Sequence, residues 1–142
     1  MNKTIRFIFS FLLYTIMNLF PYWEEVILKQ YHPSEPKYLE YYSKGLTYYN
    51  TDIHCEGIAA DGLFYPLGTR ILVTYKESGL IMCKEFVVDD IIFDVVGRRD
   101  LMYIRFKHPV KNFVDGKQEV FVNNNGPRIN QSPRRQWRKN VR

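Results

Sequence analysis

The feature that most constrains the fold is a series of short β-rich runs between residues 45 and 123 of this 142-residue chain. Each run holds β-branched or aromatic residues and ends near Gly, Asp or Lys, which is typical of strands separated by turns. Many short strands favour a small closed barrel over an open sheet with exposed edges. We therefore expect a mainly β, six-stranded barrel with one short helix at Pro109–Asp115. The six predicted strands are Leu46–Asn50, Gly57–Ala60, Thr69–Tyr75, Leu80–Val88, Asp100–Phe106 and Gln118–Asn123.

A hydrophobic helix is predicted at the amino terminus, ahead of the barrel. Lys3 and Arg6 precede the apolar run Phe7–Phe20, whose 14 residues suit a signal-peptide core of roughly 7–15 residues better than a bilayer span of about 20. Positive charge before an apolar run directs export of the downstream chain. Pro21-Tyr22-Trp23 then offers no small-residue cleavage site. Residues 1–22 are therefore predicted to be a signal peptide or an uncleaved anchor, and the alternative is a buried helix of a soluble protein.

Charge is distributed unevenly along the chain. The net charge is +5, yet residues 128–142 carry six bases and no acid, which leaves 14 bases and 15 acids before them. A barrel at 44–123 that grips nucleic acid over one whole face is therefore not supported. Residues 124–142 are polar and basic and are predicted to be disordered. Residues 23–43 contain two prolines and are predicted to be a linker.

The cysteine and histidine content limits redox and metal chemistry. Cys55 and Cys83 allow one disulfide at most, and two free buried thiols are the alternative. His32, His54 and His108 do not show the i, i+4 spacing of a helical metal site. We predict neither a metal nor a cofactor.

Five ordered strings carry a resemblance to a known family. The most specific is YPLGTRILV at Tyr65–Val73, in which Pro and Gly set a turn before a β-branched strand. GLTYY (45–49) and CEGIAAD (55–61) precede it, and VVDD (87–90) and GRRDL (97–101) come after it. In this order and spacing they resemble the double-psi β-barrel domains of the rare lipoprotein A-like and three-aspartate families of cell-wall proteins.

The spacing of three aspartates adds to the resemblance. Asp61 lies five residues before Pro66, and Asp89 and Asp100 are eleven residues apart, as in the three-aspartate domains. The resemblance covers residues 45–122 and implies a six-stranded double-psi barrel. We expect Asp61 and Asp100 to be structural, the first in a turn and the second as an acceptor of backbone N–H groups.

The resemblance implies lytic transglycosylase chemistry on peptidoglycan, in which one carboxyl group serves as acid and then as base. Such a carboxyl needs a raised pKa, from burial or a like charge. Either Asp89 or Asp90 is the candidate: the spacing to Asp100 favours Asp89, and the Gly97-Arg98 pair favours Asp90. The relatives have a glycine-containing loop after the aspartate, where this chain has Ile91–Asp94.

Five further residues are predicted to bind substrate. The aromatic faces of Tyr48 and Tyr49 suit stacking against sugar rings. His54 is a candidate for orienting the substrate or the acid. Arg70 and Arg98 suit pairing with the carboxylates of the lactyl and peptide groups.

Three functions remain open from the sequence. The first is an exported or secreted enzyme of the cell envelope, a monomer whose partner is the peptidoglycan glycan strand. The second is a non-catalytic, expansin-like barrel that binds the glycan, which the missing glycine loop favours. The third is an adaptor, with residues 5–23 at the membrane and an anionic polymer or another partner on the basic tail.

Overall fold

The computed structural model describes residues 2–38, 42, 45, 47, 48 and 51–124, except for the side chains of residues 13–19. One α-helix is followed by six strands, with 3-10 turns at Pro36–Tyr38 and Phe93–Val95. The regular elements are α1 (Lys3–Leu19), β1 (Tyr22–Gln30), β2 (Gly57–Ala59), β3 (Arg70–Glu77), β4 (Leu80–Asp90), β5 (Leu101–Arg105) and β6 (Gly116–Asn123).

The six strands close into a barrel in the order β1-β5-β2-β4-β3-β6. The β1–β5 and β2–β4 pairs are parallel, and the other four pairs are antiparallel. Exchanging β1 with β4, β2 with β5 and β3 with β6 reproduces every pairing and its direction. The predicted closed six-stranded barrel is thus confirmed, and its two topologically equivalent halves are compatible with a double-psi barrel.

The first strand lies where the sequence predicts a linker. β1 pairs along most of its length with β6, from Tyr22 opposite Val122 to Leu28 opposite Gly116, and it also pairs with β5. Val26 and Leu28 point into the barrel and are fully buried. Glu24, on the same face of β1 as Val26 and Leu28, and the apolar Ile27 on the other face obscure this alternation in the sequence. The linker prediction is wrong for these residues, and the barrel begins near Tyr22 instead of residue 44.

Two other local predictions also differ from the structure. Thr47 and Tyr48, in the predicted strand Leu46–Asn50, are not in a strand, and the other residues of that run lie outside the described ones. Pro109–Asp115 forms no helix, because Asn112 has a positive φ of 63°. The side chain of Gln30 instead holds this segment by accepting from the Val110 N–H at 2.8 Å and donating to the Val110 carbonyl at 3.1 Å.

Two hydrophobic clusters lie on the two sides of β5, whose five residues are all buried. The barrel interior holds Val26, Leu28, Ile58, Ile71, Val73, Phe86, Val88, Met102, Ile104, Val120 and Val122, among others. Outside the wall lies a second group, here called the tyrosine cluster: Tyr31, Tyr38, Tyr42, Ala59, Ile92, Val95, Leu101 and Tyr103.

The predicted amino-terminal helix is present as α1. The side chain of Asn2 caps it by accepting from the Thr4 N–H at 3.3 Å, and the described side chains of the helix are exposed. Among the described residues, no helix is both long enough and apolar enough to cross a membrane. The predicted disordered tail lies almost wholly outside the described part of the chain.

Candidate functional site

The candidate site is a set of polar side chains at the end of β4, all buried except the half-buried Thr51, and is here called the carboxylate network. β2 brings its elements together, since Gly57 lies opposite Arg105 of β5 and Ala59 lies opposite Asp90 of β4. Loop residues and the residue directly after β1 complete the set. The network consists of Tyr31, Tyr42, Thr47, Thr51, Asp89, Asp90 and Arg105.

A β-bulge explains how two adjacent aspartates are both buried. The register between β2 and β4 passes from Ile58 opposite Val88 to Ala59 opposite Asp90, so Asp89 is the extra residue of β4. Strict alternation would point the two carboxylates to opposite faces of the strand. A bulge redirects a side chain instead, and Asp89 and Asp90 are 5% and 1% exposed.

Asp89 has one oxygen with two donors and one oxygen with none. Its Oδ2 accepts from Arg105 Nη2 at 2.5 Å and from Thr51 Oγ1 at 2.8 Å. Its Oδ1 is buried without a hydrogen-bond partner among the described residues. Burial raises the pKa of Asp89 to about 6, against the opposing effects of Arg105 and Thr51.

Asp90 has donors on both oxygens. Oδ2 accepts from the hydroxyls of Tyr31, at 2.9 Å, and of Tyr42. Oδ1 accepts from the N–H groups of Tyr48 and Ile91, each at 2.9 Å. Burial raises the pKa of Asp90, and hydrogen bonds led by that of Tyr42 act against the rise. With four donors on it, Asp90 acts as an acceptor that ties β4 to the tyrosine cluster.

Arg105 links the parts of the network and is fully buried. Nε donates to the Cys55 carbonyl at 2.6 Å, Nη1 to the Tyr31 hydroxyl at 2.6 Å, and Nη2 to Asp89. Two carboxylates thus compensate one buried cation. Sequence reasoning missed Arg105, although a lone arginine within the apolar run LMYIRF was a usable signal, because a buried charge requires a partner.

Gly57 permits the close approach of β2 to this ion pair. A Cβ on Gly57 would lie 2.3 Å from Asp89 Oδ1 and 2.6 Å from Arg105 Nη2. Both distances are far below van der Waals contact, so only glycine fits this position in the present arrangement. The sequence signal was weak, since Gly57 lies in the string CEGIAAD (55–61) and in a predicted strand, and neither showed that an ion pair approaches it.

The two aspartates predicted to be structural differ from each other. Asp61 Oδ1 accepts from the Leu63 N–H at 2.8 Å, and Oδ2 accepts from the Gly97 N–H at 2.6 Å. It therefore joins two loops that are distant in the sequence. The side chain of Asp100 is 58% exposed and pairs with Arg98 Nη2 at 3.0 Å. Hydrogen bonding to Arg98 and, to a smaller extent, to its own backbone N–H lowers the pKa of Asp100.

Of the predicted substrate-binding residues that the structure describes, only Tyr48 is shown next to the carboxylate network. Tyr48 is half-buried and adjoins the network through its N–H, whereas Tyr49 lies outside the described residues. His54 is exposed on the loop that leads to Cys55. Arg70 pairs with Glu85 at 3.8 Å. Like Arg98, which pairs with Asp100, it has a partner outside the network.

The cysteines form no disulfide, since Cys55 and Cys83 are both free and exposed. The prediction of a disulfide or of buried thiols is therefore wrong in both forms. Within the described ranges, no three His, Cys, Asp or Glu side chains are grouped as a metal ion would require.

Comparison of the chain with protein-family models, with curated proteins and with solved structures finds no match. Function is therefore inferred from the sequence motifs and from the geometry of the carboxylate network.

Proposed function

We propose that this chain is an exported cell-wall protein that cleaves the glycan strand of peptidoglycan, with Asp89 as the single acid and base of a lytic transglycosylase-like reaction. The observation that carries the proposal is Asp89 itself. It is a buried carboxyl with a pKa raised to about 6, and one of its oxygens has no hydrogen-bond partner in the described part of the chain. An acid that works near neutral pH needs this combination.

Asp89 suits the acid role better than Asp90. Each oxygen of Asp90 accepts two hydrogen bonds, which leaves no position for a proton without breaking one of them. Asp89 Oδ2 is similarly engaged, by Arg105 and Thr51. Asp89 Oδ1 is the remaining oxygen, so the proton of the acid resides there.

The proposed reaction needs no water and no second carboxylate. Asp89 gives its proton to the glycosidic oxygen between N-acetylmuramic acid and N-acetylglucosamine, and the bond from that oxygen to C1 breaks. The 6-hydroxyl oxygen of the same muramic acid bonds to C1, and its proton returns to Asp89. The products are a 1,6-anhydro sugar and a free 4-hydroxyl, whereas hydrolases use a flanking pair of carboxyls.

The fold and the amino terminus support the same proposal. The two equivalent halves of the barrel agree with the double-psi topology that the motifs imply, and Tyr48 lies beside the network as a candidate sugar platform. The order of charges and apolar residues in α1 is typical of export. A fold alone does not establish an activity, so the proposal depends on the chemistry of Asp89.

The test uses the full-length chain and insoluble peptidoglycan, with mass spectrometry of the soluble fraction for anhydro-muropeptides. Asp89→Asn should reduce these products about 10²-fold or more, as loss of a general acid does. Asp100→Asn is the matched control, because its carboxylate is exposed and lies outside the network. In the unmodified chain, product formation should fall above pH about 6, where Asp89 loses its proton. Absence of anhydro products from the unmodified chain would refute the proposed reaction.

A second candidate, a non-catalytic glycan-binding barrel, is favoured by a different observation. Asp89 Oδ1 is buried and lies close to Gly57, so the acid faces a glycine backbone in this structure. A pull-down with the same peptidoglycan separates the two functions. Retained binding without anhydro products would favour the binding module, and loss of both would refute peptidoglycan as the ligand.

A further inference from the structure

We propose that Arg105 is the positioning residue of Asp89. It holds one carboxylate oxygen of Asp89 in an ion pair and leaves the other oxygen to carry the proton. The role in catalysis rests on the proposed function, whereas the effect of Arg105 on the protonation of Asp89 does not. The sequence motifs include Cys55 and Asp89 but neither Arg105 nor Tyr31.

The guanidinium of Arg105 is anchored at three points. Its donors bond to the carbonyl of Cys55, the hydroxyl of Tyr31 and the carboxylate of Asp89. These partners come from a loop, from the end of β1 and from β4. A planar fork held at three points has little freedom to follow a moving carboxylate, so Arg105 sets the orientation of Asp89.

Arg105 is also connected to the other aspartate. The Tyr31 hydroxyl accepts from Arg105 Nη1 and donates to Asp90 Oδ2. The donor from Arg105 occupies Tyr31 as an acceptor, so the hydroxyl proton is directed to Asp90. Arg105 thereby helps to keep Asp90 an acceptor and prevents the two neighbouring carboxyls from sharing one proton.

The charges around Asp89 come from two strands. Arg105 from β5 is the cation that faces it, and Asp90 from β4 is the neighbouring anion. The end of β1 contributes Tyr31, which bonds to the same guanidinium, the loop contributes the neutral donor Thr51, and β2 contributes only Gly57. Removal of the guanidinium leaves a buried carboxyl beside another carboxylate, and both effects disfavour its ionised form.

The test is a ¹³C NMR titration of the Asp89 carboxyl in the full-length chain, with Arg105→Met. The pKa of Asp89 should rise by about 1–3 units, the range for losing an adjacent opposite charge. The control is Arg99→Met, which removes an arginine that pairs with Glu24 at 3.1 Å, away from Asp89. An unchanged pKa in a folded Arg105→Met protein would overturn the inference.

Arg105→Lys keeps the proposal testable where the methionine variant fails to fold. A lysine keeps the charge but cannot reach Tyr31, Cys55 and Asp89 together, so a smaller rise of the Asp89 pKa is expected. No rise in a lysine variant of native circular dichroism would contradict the positioning role.

Anhydro-muropeptide formation, measured against pH, separates this inference from the proposed function. A raised Asp89 pKa with no anhydro products in any protein would refute the reaction and support the effect of Arg105 on protonation. Products whose pH profile is identical in wild type and Arg105→Lys would support the reaction and overturn the role of Arg105.

Discussion

The barrel interior and the carboxylate network lie on opposite sides of the same strand, and they are built on different physics. On one side of β5, Met102 and Ile104 pack among aliphatic and aromatic side chains. At its end, Arg105 enters a network of two carboxylates and two tyrosine hydroxyls. Burial of apolar area stabilises the interior, and such a core tolerates substitutions that conserve volume. The contribution of the network to stability depends on the presence of each partner and on pH, because an unpaired buried charge is costly.

The largest expected effect comes from removing β1, which supplies core residues to the interior and directly precedes Tyr31 of the network. A chain that starts at residue 44 lacks β1, so β5 and β6 each lose a neighbour and Val26 and Leu28 leave the core. We expect no cooperative thermal unfolding by circular dichroism. A chain that starts at residue 20 keeps β1 and should unfold cooperatively. Cooperative unfolding of the shorter chain would show that β1 is dispensable.

The network, unlike the interior, should make stability depend on pH. The folded-state pKa of Asp89 is raised from 3.8 to about 6, so the folded chain holds a proton that the unfolded chain releases between these values. The stabilising contribution of Asp89 is then complete below pH 3.8 and is lost as pH rises through 6. At about 1.36 kcal/mol per pKa unit, the loss is about 3 kcal/mol.

Urea unfolding of wild type and Asp89→Asn, at several pH values between 3.5 and 7, measures how the free energy of unfolding of each protein changes with pH. The difference between the two proteins isolates Asp89 from the other carboxylates. Parallel pH dependences would show that Asp89 titrates at its ordinary value.

A smaller effect is expected where the two regions meet, at Gly57. Gly57→Ala places a methyl group against Asp89 and Arg105, and such overpacking costs about 1–3 kcal/mol. Gly116→Ala is the matched control, because a Cβ there meets nothing within 4 Å. Equal unfolding free energies for the two variants would refute the close approach at Gly57.

The smallest effect is expected in the interior. Ile71 is fully buried, and Ile71→Val removes one methyl group at a cost of about 0.5–1.5 kcal/mol. No titratable group is involved, so the cost should be the same at pH 4 and pH 7 in urea unfolding. A cost that changes with pH would show that the interior and the network are coupled.

The local sequence pattern was sufficient to predict five of the six strands, β2 to β6, because each contains alternating or consecutive apolar residues. β1 was missed because Glu24 and Ile27 interrupt its alternation, and its pairing partners lie more than 70 residues away. In the site, Asp89 and Asp90 were found by motif. Tyr31, Tyr42 and Arg105 were not, because only closure of the barrel brings them to the carboxylates.

By itself, the sequence determined that this chain is a small, mainly β barrel preceded by an apolar helix, because turn chemistry and alternation are encoded locally. It also singled out two adjacent aspartates without distinguishing them. Only the tertiary structure did so, through a bulge that buries both and through the unequal distribution of donors, with four on Asp90 and two on a single oxygen of Asp89. The physical reason is that the protonation of a buried carboxyl depends on which distant groups surround it, and those neighbours are set by the closure of the barrel.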